Sequence, residues 1–201
     1  MKTANRKFLD YIAFGISAFF SPYVAAVVFT VLIVYNYAQD LNQFMPWMLT
    51  FFSFSTILPG FYILWLFEAR KITDIHMANP NERKIPMIVM AISALVGALV
   101  LFCLHAVRPV FVIAVIYALN SLVLAIISQW WKISVHTGTF ASIATIAVII
   151  FGPKFWWLYL ILIPLAWSRI YRKRHSLWQT TFGALVTTVI TLLVFFVFGY
   201  V

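Results

Sequence analysis

The chain carries little charge, and acidic residues are scarcest. Only 9% of its 201 residues are charged, and five aspartates and glutamates stand against 14 lysines and arginines. Hydrophobic residues make up 64% of the chain and its mean hydropathy is +1.00, which is more apolar surface than a soluble domain can bury. The composition therefore excludes an ordinary soluble protein and predicts an all-α integral membrane protein.

A disulfide framework is also excluded, because Cys103 is the only cysteine and a single cysteine cannot pair within the chain. The basic residues 1–10 precede an apolar stretch without a small-residue cleavage site, so we interpret that stretch as a first span rather than a leader. The net charge of +9 fits basic loops beside lipid headgroups. We expect no nucleic-acid partner.

Long apolar stretches predict the topology. Five of them reach the roughly 20 residues that a spanning helix needs. Between Thr139 and Trp167 the dipeptide Gly152-Pro153 divides a further apolar region into two short runs, which predicts a helical hairpin. We therefore expect a single transmembrane domain over 1–201, a bundle of about six to seven transmembrane helices. The five stretches cover about residues 11–37, 47–67, 86–106, 109–131 and 180–201.

Three polar islands interrupt the apolar chain, at residues 71–86, 132–137 and 168–179, and each contains a histidine and at least one cation. Counting spans between them predicts that all three lie on the same membrane face as the N-terminus. A cluster of charged groups at one face of a membrane protein is the default hypothesis for its functional site. Because most lysines and arginines fall on this face, the positive-inside rule makes it the cytoplasmic side of the cell (inner) membrane.

The third island contains the pattern S-R-x5-H-x3-Q, formed by Ser168, Arg169, His175 and Gln179. A helix that begins near His175 would place His175 and Gln179 at i and i+4 on one face. The Gln179 carbonyl could then orient the imidazole and leave its other nitrogen free to act as a nucleophile or base. Arg169 could hold phosphate oxygens with its planar fork.

This pattern resembles the third signature of the type 2 phosphatidic acid phosphatase family, S-R-x5-H-x3-D. The second island resembles the family's P-S-G-H signature, with Ser134 and His136 in place. The resemblance implies that Ser134 donates its hydroxyl to the phosphate and that His136 protonates the leaving oxygen. From the residues alone, the other interpretation is that His136 is a loop histidine without a function.

The first island resembles the signature K-x6-R-P more loosely. Arg83 matches the arginine, His76 stands where the lysine would be, and Lys71 or Lys84 would have to supply the second cation. We predict Arg83 to be a phosphate clamp. Lys71 and Lys84 are either additional phosphate ligands or plain topology signals.

The resemblance covers about residues 71–200, and residues 1–70 would add two N-terminal spans. It implies a metal-independent, cofactor-free phosphatase that acts on a lipid phosphate or pyrophosphate of the phosphatidate, phosphatidylglycerophosphate or polyprenyl pyrophosphate type. His175 would form a phosphohistidine. Because Gln179 replaces the family's aspartate, a degenerate, non-catalytic protein that binds lipid phosphate is the alternative. The expected partners are the bilayer and the lipid phosphate.

Overall fold

The computed structural model describes residues 2–74 and 82–201, with side chains from residue 7 onward. All regular structure in these residues is helical. A π-helical segment, Ser53–Ile57, joins the third and fourth helices, and a 3₁₀-helical segment, Pro153–Ile161, precedes the eighth. The α-helices are α1 Lys2–Phe19, α2 Pro22–Tyr37, α3 Leu41–Phe52, α4 Leu58–Glu68, α5 Lys84–Cys103, α6 Arg108–Ile127, α7 Val135–Phe151, α8 Leu162–Tyr171 and α9 Leu177–Val197.

Four helical segments in the described part of the chain are long and apolar enough to cross a membrane. They coincide with four of the five predicted stretches, and the fifth falls on α1 and α2, which count as one further span if the bent pair is a single crossing. In the residues that the structure describes, the regular structure is thus all-helical, with four or five candidate spans. The four segments are Leu41–Glu68, Lys84–Cys103, Arg108–Ile127 and Leu177–Val197.

The apolar stretch over residues 11–37, predicted as a first span, consists of two helices, α1 and α2. The chain bends by 43° between α1 and α2. Pro22 lacks a backbone N–H and disfavours the helical conformation at the residue before it. Ser21 Oγ accepts a hydrogen bond from the Val24 N–H at 3.3 Å and so caps the second helix.

The prediction of a hairpin with its turn at Gly152-Pro153 is confirmed. Helix α7 ends at Phe151, and the 3₁₀-helical segment and α8 follow the turn. Gly152 has φ of 101°, a conformation that a residue with a Cβ adopts only with strain. Thr145 Oγ1 and the Tyr159 hydroxyl hydrogen-bond at 2.7 Å across the hairpin.

The chain forms two compact units. One, here the terminal unit, combines Met1–Ala26 with Ile133–Val201, and the other, the central unit, is Val27–Lys132. The terminal unit contains the second island from Ile133 onward and the whole third island. The first island belongs to the central unit.

In the terminal unit, α7 and α9 pack through small and hydroxyl-bearing residues. Thr137 Oγ1 donates to the Thr180 carbonyl and Thr187 Oγ1 donates to the Gly138 carbonyl, both at 2.8 Å. Gly183 lies so close to α7 that an added Cβ would stand 2.5 Å from the Ser134 carbonyl oxygen. Small residues and interhelical hydrogen bonds are typical of helix packing in membranes. This seam holds the N-terminal ends of α7 and α9 side by side.

Candidate active site

The turn between α8 and α9 ties His175 to Arg169. Lys173 takes a left-handed conformation with φ of 53°, and its N–H donates to the Ile170 carbonyl at 2.9 Å. The Arg169 carbonyl accepts from the N–H groups of Arg174 at 3.0 Å and His175 at 3.3 Å. The first two bonds form a Schellman motif, which satisfies carbonyls at the end of a helix. The third bond extends this tight turn to His175.

A capping box starts α9 immediately after His175. Ser176 Oγ accepts from the Gln179 N–H at 3.3 Å, and Gln179 Oε1 accepts from the Ser176 N–H at 3.0 Å. Because α9 begins at Leu177, His175 precedes the helix, and the premise that His175 and Gln179 share a helical face is wrong. The orientation of His175 by Gln179 stays a prediction. Sequence reasoning missed the box, although S-x-x-Q before an apolar run is its signature.

Ser134 is the cap of α7 and is fully buried. Its Oγ accepts from the Thr137 N–H at 3.5 Å, and its own N–H donates to the Gln179 carbonyl at 3.1 Å. This backbone hydrogen bond joins the second island directly to the third. Donation by the Ser134 hydroxyl to phosphate stays a prediction.

His136 is the second residue of α7 and is half-buried. Burial lowers its pKa to about 3, and the charges of Arg169, His175 and Arg172 act in the same direction. A hydrogen bond with the Ser17 backbone opposes this shift of the pKa. The structure thus brings His136, His175 and Arg169 into one electrostatic environment.

Arg169 is half-buried beside His136. Its Nη1 donates to Ser17 Oγ at 2.6 Å, while its Nε is buried without a hydrogen-bond partner among the described residues. Burial lowers the pKa of Arg169 to about 10, and the charges of Arg172 and Arg174 add to the effect. The guanidinium therefore stays positive at neutral pH and retains a free donor for an oxyanion.

The basic cluster, which we define as His136, Arg169, Arg172 and His175, has almost no acidic counterpart in its unit. Residues 133–201 contain no aspartate or glutamate, and Asp10 is the only acidic residue in residues 1–26. Like charges that lower one another's pKa are stabilised by an anion placed among them. The chemistry of the cluster fits a phosphate group.

Arg83, predicted as a phosphate clamp, lies in the central unit and precedes α5. Its side chain is buried, its Nε has no hydrogen-bond partner among the described residues, and burial lowers its pKa. The Glu82 carboxylate accepts from the Thr73 N–H at 2.9 Å. Whether Arg83 belongs to the same site as the basic cluster stays a prediction.

The two lysines of the first island also lie in the central unit. Lys71 Nζ stands 4.6 Å from the centroid of the Trp65 ring, a cation–π contact. Lys84 is the first residue of α5, and its carbonyl accepts from Gln129 Nε2 at 3.4 Å. His76 lies outside the described residues. The phosphate-binding roles of Lys71 and Lys84 stay predictions.

Sequence reasoning assigned no function to α1, yet this helix contacts the basic cluster. Ser17 contacts Arg169 and His136, and the Arg172 guanidinium lies 5.1 Å from the centroid of the Phe14 ring. Ser17 and Arg169 are 152 positions apart. No local sequence signal pairs residues at that separation.

The lowered pKa of His136 predicts an acid-sensitive fold. In the unfolded chain histidine titrates near pH 6.5, whereas the folded protein keeps His136 neutral down to about pH 3. Between these values the unfolded state binds the extra proton, so stability is full above about pH 6.5 and falls by up to about 1.4 kcal/mol per pH unit as the pH decreases toward 3. Thermal unfolding from pH 8 to 4 should show a shallower loss for His136→Gln than for the wild type. An equal loss of stability with decreasing pH in the two proteins would contradict the lowered pKa of His136.

Comparisons with protein-family models, with curated proteins and with solved structures found no match for this chain.

Proposed function

We propose that the protein is a membrane lipid phosphatase that hydrolyses a phosphate ester or pyrophosphate of a lipid through a phosphohistidine intermediate. The observation that carries the proposal is the basic cluster: two histidines and two arginines converge at one end of a unit that has a single acidic residue. A phosphate dianion supplies the missing negative charge. The apolar helices around the cluster fit a substrate that remains in the bilayer.

Arg169 holds the phosphate in this scheme. Its charge persists at neutral pH, and its planar fork matches the geometry of phosphate oxygens. Arg172, whose pKa is lowered by burial and by Arg174, adds a second positive charge from the same turn. Both charges stabilise the oxygens as phosphoryl transfer proceeds.

His175 is the nucleophile. The lone pair of one imidazole nitrogen forms a bond to phosphorus, and the bond between phosphorus and the lipid oxygen breaks with its electron pair moving to that oxygen. His136, as imidazolium, donates the proton that the leaving oxygen takes up. Water then forms a bond to phosphorus while the P–N bond breaks, and the proton that water loses returns to His136.

The low pKa of His136 is compatible with this role because a bound phosphate offsets the neighbouring positive charges, which lower the pKa in addition to burial. Without an anion, burial and the neighbouring positive charges keep the ring neutral. A phosphate dianion beside the ring favours its imidazolium form and raises the pKa. His136 therefore takes up its catalytic proton together with the substrate.

A second candidate function, a non-catalytic protein that binds lipid phosphate, is favoured by one contact. The Gln179 side-chain carbonyl accepts from the Ser176 N–H and so helps to cap the N-terminus of α9. The uncharged amide also gives an imidazolium less stabilisation than the aspartate of the family pattern would. Substitutions at Gln179 distinguish the two functions.

Gln179→Asp should raise phosphate release, because a carboxylate strengthens the imidazole as a nucleophile and stabilises its cationic form. Gln179→Ala should lower it and cost about 1 kcal/mol of stability, as loss of a helix cap does. Gln179→Glu keeps the reach of the capping box and therefore separates the effect of charge from that of the cap. Phosphate release and thermal unfolding of the four proteins measure both effects. Phosphate release unchanged in all three variants would exclude a catalytic role for the His175–Gln179 pair.

The proposal places the protein in the cell (inner) membrane with the basic cluster on the cytoplasmic side, following the charge bias of the sequence. We also propose six to seven spans in total. Five are the long apolar stretches, and the hairpin over residues 139–167 would supply the others. A cysteine introduced at Thr3 and labelled in intact cells tests the orientation. Labelling of this cysteine from outside the cell would reverse the proposed orientation.

The decisive experiment measures phosphate release by the purified full-length protein from a panel of substrates. Phosphatidate, phosphatidylglycerophosphate and a polyprenyl pyrophosphate represent the lipid class, and glycerol phosphate is a soluble ester without an acyl chain. We expect release from at least one lipid, a much slower release from glycerol phosphate, and loss of both in His175→Ala. Absence of release from every lipid, with inorganic phosphate still bound, would favour the non-catalytic function.

A further inference from the structure

One face of α1 packs against the basic cluster. Ser17 is only 3% exposed, and Ala13, one turn before it, is fully buried. Phe14, which is also in α1, lies against the Arg172 guanidinium. Near the end of α1, Phe20 packs edge-on against Phe140 of α7, with ring centroids 5.2 Å apart. These contacts fix the helix on the side of the cluster that carries His136.

Ser17 contacts both cluster residues that the proposed mechanism needs for binding and for proton donation. Its Oγ accepts from Arg169 Nη1 at 2.6 Å, and its backbone hydrogen-bonds the His136 ring. A backbone carbonyl that accepts from one imidazole nitrogen fixes the orientation of the ring and which nitrogen carries the proton. A hydroxyl that accepts from one guanidinium nitrogen restricts the direction of the whole planar fork.

We propose that Ser17 is a positioning residue of the phosphate site, so that α1 is part of the site although it lies outside the three islands. The inference rests on the proposed function. Ser17 Oγ holds Nη1 of Arg169 and thereby directs the remaining donors, including the unpartnered Nε, toward the anion.

The two contacts make separable predictions, because Ser17→Ala removes the hydroxyl and retains the carbonyl. Phosphate affinity should therefore fall roughly 3- to 10-fold, the range expected for one hydrogen bond. The pH dependence of turnover, which reports His136, should stay as in the wild type. Ser17→Thr keeps the hydroxyl and should restore the affinity.

The experiment titrates inorganic phosphate into the detergent-solubilised full-length protein by calorimetry and follows lipid-phosphate turnover against pH in the same preparations. Ser21→Ala is the matched control, since Ser21 caps α2 through the Val24 N–H and has no role in the site. A structural role alone would lower the thermal stability of Ser17→Ala and leave its phosphate affinity unchanged.

Each outcome has a separate meaning. Weaker binding in Ser17→Ala with recovery in Ser17→Thr supports the inference, whether or not the protein turns over. Wild-type binding and turnover with an unchanged Ser17→Ala would overturn the inference and leave the proposed function standing. Phosphate binding without turnover would overturn the enzymatic function, and the affinities would still test Ser17. Absence of phosphate binding by the wild type would overturn both.

Discussion

Replacing His175 by alanine should reduce phosphate release from the preferred lipid by at least about 10³-fold, because the proposed covalent intermediate forms on the His175 imidazole. The nitrogen that attacks phosphorus is lost, while the backbone bond from residue 175 to the Arg169 carbonyl remains available to alanine. The turn between α8 and α9 should therefore keep its shape. A loss of activity with unchanged thermal stability would assign the effect to chemistry.

The intermediate itself provides a second measurement. Brief incubation with a lipid substrate labelled in the transferred phosphate should leave acid-labile, base-stable label on the wild-type protein and none on His175→Ala. Arg174→Ala is the control, since it removes the exposed neighbouring side chain and leaves the imidazole. We expect it to retain activity within a few-fold of the wild type. Equal labelling of His175→Ala would show that a different residue is the nucleophile.

Replacing Gly183 by alanine should destabilise the terminal unit by about 1–3 kcal/mol, the usual cost of overpacking. The added Cβ would stand 2.5 Å from the Ser134 carbonyl oxygen and 3.0 Å from Thr137 Oγ1. The first of these atoms belongs to the backbone and cannot rotate away, so α7 and α9 must separate. Phosphate release should fall as well, because His136 stands on the displaced first turn of α7.

Gly15→Ala is the matched control for this substitution. Gly15 lies inside α1, in the same unit, and an added Cβ there would meet no atom within 4 Å. Alanine is favoured over glycine in a helix interior by about 1 kcal/mol, so this variant should unfold at the same temperature as the wild type or higher. Thermal unfolding of both variants in detergent makes the comparison. A Gly183→Ala protein as stable as Gly15→Ala would contradict the close packing of α7 and α9.

Hydropathy and local backbone chemistry determined the secondary structure. Runs of apolar residues long enough for a bilayer appear as helices because only the helix satisfies the backbone within one segment. Gly152-Pro153 ended α7 where the sequence predicted. The break before Pro22 and the capping box of Ser176 and Gln179 follow from equally local rules, so both were predictable from the sequence.

Only the tertiary structure decided which polar groups meet. The second and third islands come together because α7 and α9 pack through threonines and Gly183, whose hydrogen bonds join residues about 40 to 50 positions apart. The contact between Ser17 and Arg169 depends on packing of α1 across the terminal unit. Local propensity carries no information about such distant pairs. By itself the sequence therefore determined the helices and the chemical character of the islands, and packing determined that His136, Arg169 and His175 share one environment with Ser17.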